Sequence, residues 1–181
     1  VYKRQARYDD AMQLFEMLVR LRGLSPTFSR VLLTRLVPRI IPLSDGMGVT
    51  VQEWSAERCV LELPFRRKNR NHLGSMYFGA QMTLADLAVG LLLFQHFPMD
   101  RYGGVIKRVE ADFRAKGKGA LRCVAELPDD VADVLNDARV NDSGKAEAWV
   151  PMQLTGPDGK TVTEVRTLVA IKRFGPPEKQ A

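Results

Sequence analysis

The segment Asn71–Phe97, NHLGSMYFGAQMTLADLAVGLLLFQHF, decides the fold of this chain. A turn that contains Gly74 leads into a stretch without proline, and residues 84–94 are apolar except for Asp86. A helix that is apolar on all sides is typical of a protein interior. A charged carboxylate is costly there unless another group pairs with it. The segment therefore predicts a long, buried central helix in which Asp86 has a specific role.

The composition fits one globular domain with a hydrophobic core. The chain has 181 residues, a length that a single domain commonly has. Its 27 Lys and Arg residues and 21 Asp and Glu residues give a net charge of +6, which is spread along the chain. A modest positive charge favours anionic partners without specifying a nucleic acid. A small molecule that carries phosphate groups fits this charge equally well, and we expect no nucleic-acid partner.

The cysteines and histidines do not suggest a disulfide framework or a metal site. Cys59 and Cys123 lie in apolar, strand-like stretches without CxxC spacing, so we interpret them as reduced core residues. His72 and His96 lie at opposite ends of the predicted helix, and the sequence has no Cys/His cluster, so no metal is expected. Reduced thiols favour a cytoplasmic location.

We expect neither a signal peptide nor membrane contact. Residues 1–10 are polar and charged, unlike the apolar core of a signal peptide. The apolar run at residues 84–94 has about half of the ~20 residues that a membrane span needs.

Two helices are predicted before the first strand. The first spans Asp9–Arg22, and the second begins at Ser25-Pro26 and ends before Pro38. Helical spacing predicts one inward face for each helix. The inward residues are Ala11, Leu14, Phe15, Leu18 and Leu21 in the first helix, and Phe28, Val31, Leu32 and Leu36 in the second. The arginines on the other faces indicate either a solvated surface or contact with a membrane or an anionic ligand.

The rest of the chain predicts a mainly antiparallel sheet. Strands are expected at Val49–Trp54, Cys59–Leu63, Val105–Ala115, Leu121–Leu127, Ala146–Leu154 and Thr161–Lys172, with a short helix at Asp129–Ala138. The inward residues of that helix are Val131, Val134 and Leu135. In the long strand, Val105, Lys107, Val109, Ala111 and Phe113 alternate with Ile106, Arg108, Glu110, Asp112 and Arg114. Pro151 predicts an edge or a bulge. Short turns between strands favour antiparallel pairing, and the simplest way to bury the central helix is to wrap the sheet around it.

This arrangement resembles the hotdog fold, in which a curved antiparallel sheet wraps one long helix. Asn71 to Ala80, followed by Thr83-Leu84-Ala85-Asp86, resembles the signature of the phenylacetate-pathway type of acyl-CoA thioesterases, with Tyr77-Phe78-Gly79 in place of a His-Gly-Gly step. The helical lead-in and the helix after Pro128 are similar to a hotdog subgroup known as a domain of unknown function. The resemblance implies an α+β hotdog domain at residues 46–175, a helical extension at 1–45 that packs on it, and a disordered tail at 176–181.

The resemblance also implies roles for individual residues. Asp86 would be the general base or the nucleophile, and Asn71 would position the attacking water or the thioester. The backbone N–H groups near Phe78 and Gly79 would polarise the thioester carbonyl. The candidate substrate-binding residues are Tyr77, Met82, Thr83, Arg70 and Lys107. Coenzyme A is part of the substrate, and no separate cofactor is expected.

Most of these residues also have a structural interpretation. Asp86 could accept a hydrogen bond from Thr83 or from a strand amide, and Asn71 could cap the helix entry. We favour core packing for Tyr77 and a surface position for His72. Met76, Met82, Leu87 and Leu91 could line an acyl tunnel, although we favour plain core. Two basic clusters could bind the phosphates of coenzyme A or simply face solvent. They are Arg66, Arg67, Lys68 and Arg70 before the motif, and Lys107, Arg108, Arg114, Lys116 and Lys118 after it.

Helix geometry predicts that a catalytic site would need two chains. Asp86 lies eight residues beyond Phe78, or ~12 Å along a helix. One chain cannot bring both groups to the same carbonyl. We therefore expect a homodimer with two symmetric sites, or a tetramer built from such dimers.

The sequence supports three functional hypotheses. The first is an acyl-CoA thioesterase that acts through Asp86. The second is a non-catalytic protein that binds acyl-CoA or fatty acids, suggested by the altered Tyr77-Phe78 step. The third is a peripheral membrane or partner-binding module, suggested by the arginine-bearing helices near the N-terminus.

Overall fold

The computed structural model describes residues 13–15, 17–19 and 25–176. Residues 13–15 and 17–19 are helical. The elements that follow are α1 (Pro26–Ile40), β1 (Thr50–Trp54), β2 (Arg58–Leu63), α2 (Phe78–His96), β3 (Tyr102–Phe113), β4 (Leu121–Glu126), α3 (Asp129–Val140), β5 (Lys145–Thr155) and β6 (Thr161–Arg173). Short 3₁₀ helices lie at Pro42–Ser44 and Arg67–Asn69.

Six strands form one sheet in the order β1-β2-β4-β5-β6-β3. Every neighbouring pair is antiparallel. The central helix α2 packs against β2, β4 and β5, so the sheet wraps around it. This confirms the predicted element order and the predicted fold, a curved antiparallel sheet around one long helix.

Helix α2 is buried on most of its surface but not on all of it. Ten of its residues are buried, from Ala80 to Leu93, which explains its apolar sequence. Phe78 and Asp86 are exposed, however, and Gly90 is half-buried. The expectation of a helix buried on every side is therefore wrong for the single chain. By length and composition α2 could cross a membrane, but more than half of it is buried inside the domain, as in a core helix.

Three hydrogen bonds between the β1–β2 hairpin and α2 hold the second half of the helix. The Trp54 indole N–H donates to the Leu91 carbonyl at 3.0 Å. The Gln95 amide donates to Ser55 O, and the His96 ring to Ala56 O, both at 2.6 Å. The β1–β2 hairpin and its turn therefore fix the position of the helix along its axis.

The helices before the sheet pack on the same region. Phe15 and Leu18 are buried, as predicted, and the Phe15 ring contacts the rings of Trp54 and Phe94 edge-on. The Val51 amide donates to the Thr34 hydroxyl at 2.9 Å, which joins α1 to β1. The predictions for residues 9–12, 16, 20–24 and 177–181 lie outside the described residues.

Helix α1 differs from its prediction in its end and in its inward face. It continues through Pro38 to Ile40, because a proline in the last turn removes only one hydrogen bond near the helix end. Phe28 and Val31 are exposed, while the buried residues are Ser29, Leu33, Leu36 and Val37. The apolar run at residues 31–33 fits several helical phases, and packing on β1 selects the one that buries Leu33.

A β-bulge changes the faces of β3. Ile106 pairs with Val169 and Arg108 with Leu168, so Lys107 is the extra residue. The bulge puts Ile106 on the same face as Val109, Ala111 and Phe113 and turns Lys107 to the other face. Simple alternation, which grouped Lys107 with Val109, is therefore wrong at this point.

Two smaller predictions also need correction. Val134 on α3 is exposed, and Ala138 is buried in its place together with Leu135. Strand β5, which contains Pro151, is an interior strand rather than an edge strand. The pairs between β5 and β4 run from Met152 to Thr155 of β5, so Pro151 lies just outside them, where β5 has no β4 neighbour.

The substitution Trp54→Phe tests the attachment of α2. It should lower the free energy of unfolding by about 1–2 kcal/mol, because the Leu91 carbonyl loses a buried donor. Chemical denaturation measures this change. Trp149→Phe is the matched control: Trp149 is only half-buried and stacks against Arg166, a contact worth about 0.5–1 kcal/mol. Equal losses for the two variants would contradict the role of the Trp54 indole.

Candidate active site

Asp86 lies on the one face of α2 that the sheet leaves uncovered. Gly79, Thr83, Asp86 and Gly90 follow each other at helical spacing of three to four residues, Met82 lies next to Thr83, and none of the five is fully buried. Within the described part of the chain, the Asp86 carboxylate makes no hydrogen bond or ion pair. The Thr83 hydroxyl donates instead to the Gly79 carbonyl at 2.9 Å. Thr83 therefore does not hold Asp86 as a structural carboxylate.

The surroundings of Asp86 favour its neutral form. Although the side chain reaches solvent in the single chain, the protein around the carboxyl group removes part of its hydration, and this desolvation raises its pKa above the usual value. An unpaired carboxyl group with a raised pKa on an apolar surface is a candidate catalytic group.

The start of α2 presents free backbone donors. Tyr77 is the N-cap residue in an extended conformation, and no side chain among the described residues caps this end. The amides of Phe78 and Gly79 therefore lack the intrahelical acceptors that later amides have. The helix dipole adds partial positive charge there, so this end can stabilise an oxyanion.

Two aromatic rings cover the helix start. The side chains of Tyr77 and Phe78 are 47% and 57% exposed, and their ring centroids are 4.9 Å apart. The prediction that Tyr77 packs in the core is wrong. Its ring lies instead on Gly79, where a Cβ atom would be 2.7 Å from Tyr77 Cε1. Gly79 is thus required for the ring to rest against the first turn.

Asn71 organises the loop before the helix and does not cap the helix. Its side-chain oxygen accepts hydrogen bonds from the amides of Leu73 and Ser75 at 3.0 and 3.1 Å, and its amide donates to the Ser75 hydroxyl. Gly74 has φ of 69°, a conformation that favours glycine. The interpretation of Asn71 as a helix cap is therefore wrong, and its bonds inside the loop hold residues 71–75 in one conformation.

Asn69 and Gln81 position the helix start, and the sequence did not single them out. The buried Asn69 side chain donates to Met47 O at 2.9 Å and to Pro64 O at 2.8 Å. The backbone carbonyl of Asn69 accepts a hydrogen bond from the Tyr77 amide at 2.8 Å. Gln81 donates to Met76 O at 3.2 Å and accepts from the buried Thr163 hydroxyl at 2.5 Å. A polar, uncharged side chain near the start of a mainly apolar helix is the sequence signal that could have identified Gln81.

One residue of the first basic cluster and two of the second lie beside the helix start. Arg70 and Met76 form an isolated β-bridge, and the Met76 amide donates to Gly117 O at 2.8 Å. Lys116 and Lys118 flank Gly117 and are exposed. Arg70 is also exposed, with its guanidinium 5.3 Å from the Phe65 ring centroid. Positive charge from two loops therefore lies at the end of α2 that carries the free amides.

The other predicted residues lie elsewhere or within the core. Lys107 pairs with Glu147 at 2.6 Å on the sheet face away from α2, so the structure does not bring it to Asp86. His72 is exposed, as predicted. Met76 and Leu87 are buried, and Met82 packs partly buried against the core. Burial raises the pKa of the Cys123 thiol to about 12, and Cys59 is likewise buried and free.

The uncovered face of α2 continues onto an edge of the sheet. Strand β3 has 12 residues and is the last strand in the sheet order, so one side of its backbone has no strand partner within the described chain. Val109 and Phe113, on the face that continues toward the helix, are half exposed. A long edge strand beside exposed apolar side chains is typical of a surface that another chain covers.

A curved antiparallel sheet around one long central helix is the hotdog fold, and the family match and the related structures that follow place the chain in the hotdog thioesterase superfamily. Residues 29–171 match the domain of unknown function DUF4442, and the chain belongs to that family. No curated protein matches the chain.

Solved structures share this fold. A protein of unknown function from Pseudomonas aeruginosa, described as a probable thioesterase, is 29% identical; the match covers 80% of this chain and 96% of that one, with a TM-score of 0.70. A mutant of a thioesterase from Staphylococcus aureus is 17% identical, covering 72% and 98%, with a TM-score of 0.59. The Escherichia coli PaaI protein from the phenylacetic acid degradation operon is 15% identical, covering 75% and 86%, with a TM-score of 0.55.

The substitution Asp86→Asn should stabilise the protein at neutral pH. A raised pKa means that the folded state binds the Asp86 proton more tightly than the unfolded chain does. The resulting stabilisation is fully present below the pKa of the unfolded chain and is lost as the pH rises through the raised pKa. The amide carries no charge and avoids the loss. The free energy of unfolding, measured from pH 3 to 8, should therefore favour the variant at the upper end and converge with the wild type at the lower end.

Asp142→Asn is the matched control, since it removes an exposed carboxylate from a surface turn. If the Asp86→Asn variant is less stable than the wild type at neutral pH, the folded protein stabilises the charged carboxylate, which would contradict this prediction.

Proposed function

We propose that this protein hydrolyses acyl-CoA thioesters at a site formed by two copies of the chain. The observation that carries the proposal is the unpartnered Asp86 carboxylate on an uncovered helix face, ~12 Å along the helix from the free amides of the same chain. Each chain supplies Asp86 to one site and the Phe78–Gly79 amides to the other. The thioesterase names of the related structures support the reaction class.

Two routes to hydrolysis use these groups, and they differ in the role of Asp86. Asp86, as general base, takes a proton from water, and the resulting hydroxide attacks the thioester carbon; as a nucleophile, the carboxylate attacks directly and water then cleaves the anhydride. In both cases the carbonyl oxygen becomes an oxyanion, which the partner's helix start stabilises. The C–S bond breaks, and the thiolate of coenzyme A leaves and takes up a proton.

The raised pKa of Asp86 suits the role of a general base. Desolvation raises the pKa of Asp86, and a carboxylate with a raised pKa binds a proton more strongly than an ordinary aspartate does. The value of kcat/KM should rise with pH through an apparent pKa above that of a free aspartate.

Two further features support the assignment. The exposed Arg70, Lys116 and Lys118 lie beside the helix start, where they can bind the phosphate groups of coenzyme A. The buried, free thiols of Cys59 and Cys123 fit a reducing compartment such as the cytoplasm.

A panel of acyl-CoA substrates tests the activity, with thiol release as the readout. Asp86→Asn should lower kcat by about 10²–10⁴-fold, the usual contribution of a positioned acid or base. Full turnover by this variant would contradict the role of Asp86. Acyl-CoA that stays bound and unhydrolysed by the wild type would favour a binding protein instead.

A pair of substitutions at position 78 tests the backbone amide. Phe78→Pro removes the N–H group but suits the first position of a helix, and Tyr77, with φ of −66° and ψ of 137°, has a conformation that precedes proline readily. It should lower kcat by about 10²–10³-fold. Phe78→Ala keeps the amide and removes only the exposed ring, so it is the matched control and should retain most of kcat.

Mixing the two inactive chains tests the two-chain site directly. A dimer of one Asp86→Asn chain and one Phe78→Pro chain contains one intact site and one doubly altered site. Random mixing should therefore restore about a quarter of the wild-type activity. A mixture with no more activity than the separate variants would show that each site lies within one chain.

A further inference from the structure

An apolar pocket opens beside Asp86 and has no role in the reaction steps above. It has a volume of about 140 Å³ and lies between the second half of α2, the first half of β3 and the end of β6. Among the described residues that line it, Asp86 is the one charged residue, and the others are aliphatic, aromatic or glycine. The pocket therefore runs from the proposed reacting group into an apolar space, as an acyl-binding pocket must.

Gly90 borders the pocket on α2, one helical turn beyond Asp86. Glycine inside a helix costs about 1 kcal/mol relative to alanine. Apart from the chain neighbours and the backbone of the helix itself, no atom of the described residues lies within 4 Å of the position that a Cβ atom would take at Gly90. Packing within the chain does not require glycine here, and its effect is to leave volume open next to the carboxylate.

Gly104 borders the pocket from the opposite wall, on β3. A Cβ atom there would lie 3.3 Å from Ile171 Cδ1 and would narrow the space between the sheet and the helix. Glycine inside a strand also weakens the strand, since it has no side chain to pack. Both walls therefore carry a glycine where a larger side chain would fill the pocket.

We propose that this pocket binds the acyl group of a medium-chain thioester, with about six carbons beyond the thioester carbonyl. Gly90 and Gly104 set the depth of the pocket. A cavity of about 150 Å³ accommodates one benzene ring, so volume limits the acyl group more strictly than length does. The helix runs ~16 Å from Asp86 to Phe97, long enough for a longer chain. Hexanoyl, octanoyl and phenylacetyl groups fit the volume, whereas a palmitoyl group does not.

This inference rests on the proposed hydrolysis, which its kinetic test requires. A second test measures the binding of acyl-CoA and does not require hydrolysis. For the wild type, kcat/KM should be at least about tenfold higher with octanoyl-CoA than with palmitoyl-CoA, because each misfitting methylene can cost about tenfold. Gly90→Leu should lower the octanoyl to butanoyl ratio of kcat/KM by about tenfold or more. Gly104→Val, on the other wall, should change the ratio in the same direction.

Calorimetry with the Asp86→Asn variant separates this inference from the proposed function. That variant should bind octanoyl-CoA more tightly than acetyl-CoA, and adding Gly90→Leu or Gly104→Val should remove the difference. If the wild type hydrolyses acyl-CoA but neither glycine substitution changes the chain-length profile, the pocket assignment is overturned and the activity stands. If binding follows chain length as expected but no thioester is hydrolysed, the pocket assignment stands and the enzymatic function fails.

Sedimentation velocity tests a different role for Gly90, that of a contact between the helices of two chains. Close approach of a second helix would also require a small residue on this face. Dissociation of the Gly90→Leu protein, with an unchanged acyl preference in the assembled fraction, would overturn the pocket assignment. An unchanged assembly with a shifted acyl preference supports it.

Discussion

The sheet covers most of helix α2 but leaves one face of it open, and the remaining structure depends on this constraint. The sheet supplies enough contacts to bury most of the helix, and Trp54, Gln95 and His96 fix its second half through hydrogen bonds to and from the hairpin. The uncovered side keeps a carboxylate that would be too costly inside the core. The same helix thus provides a rigid core element and a surface on which Asp86 can stay unpaired.

The helix start is held by contacts that are independent of the core leucines. Asn69 fixes the Tyr77 amide, and Gln81 joins the loop to β6 through Thr163. These polar bonds are buried, so each one restricts the position of the first turn more strongly than a solvated bond would. The free amides therefore point from a fixed backbone, which is the condition for stabilising a developing charge without reorganisation.

Much of the fold followed from sequence because its local signals agree with one another. The apolar segment ending at Phe97 predicts the central helix, and the short turns between strands predict the antiparallel pairing. Local patterns do not resolve which face of α1 points inward, because residues 31–33 are all apolar. They also do not reveal the bulge at Lys107, because no residue type at that position marks it. The pairing of Gln81 with Thr163 joins positions 82 residues apart, and no local pattern contains it. Tyr77 was assigned to the core by residue type, yet Gly79 provides the small surface on which its ring rests.

The central claim is that Asp86 of one chain and the helix start of another act on the same carbonyl. The most direct measurement is a crystal structure of the Asp86→Asn protein with octanoyl-CoA bound. We expect two chains with their β3 edges together, and the thioester oxygen within about 3 Å of the Phe78 amide of one chain and close to the side chain at position 86 of the other. A thioester bound by position 86 and the Phe78 amide of the same chain, or bound away from both, would contradict it.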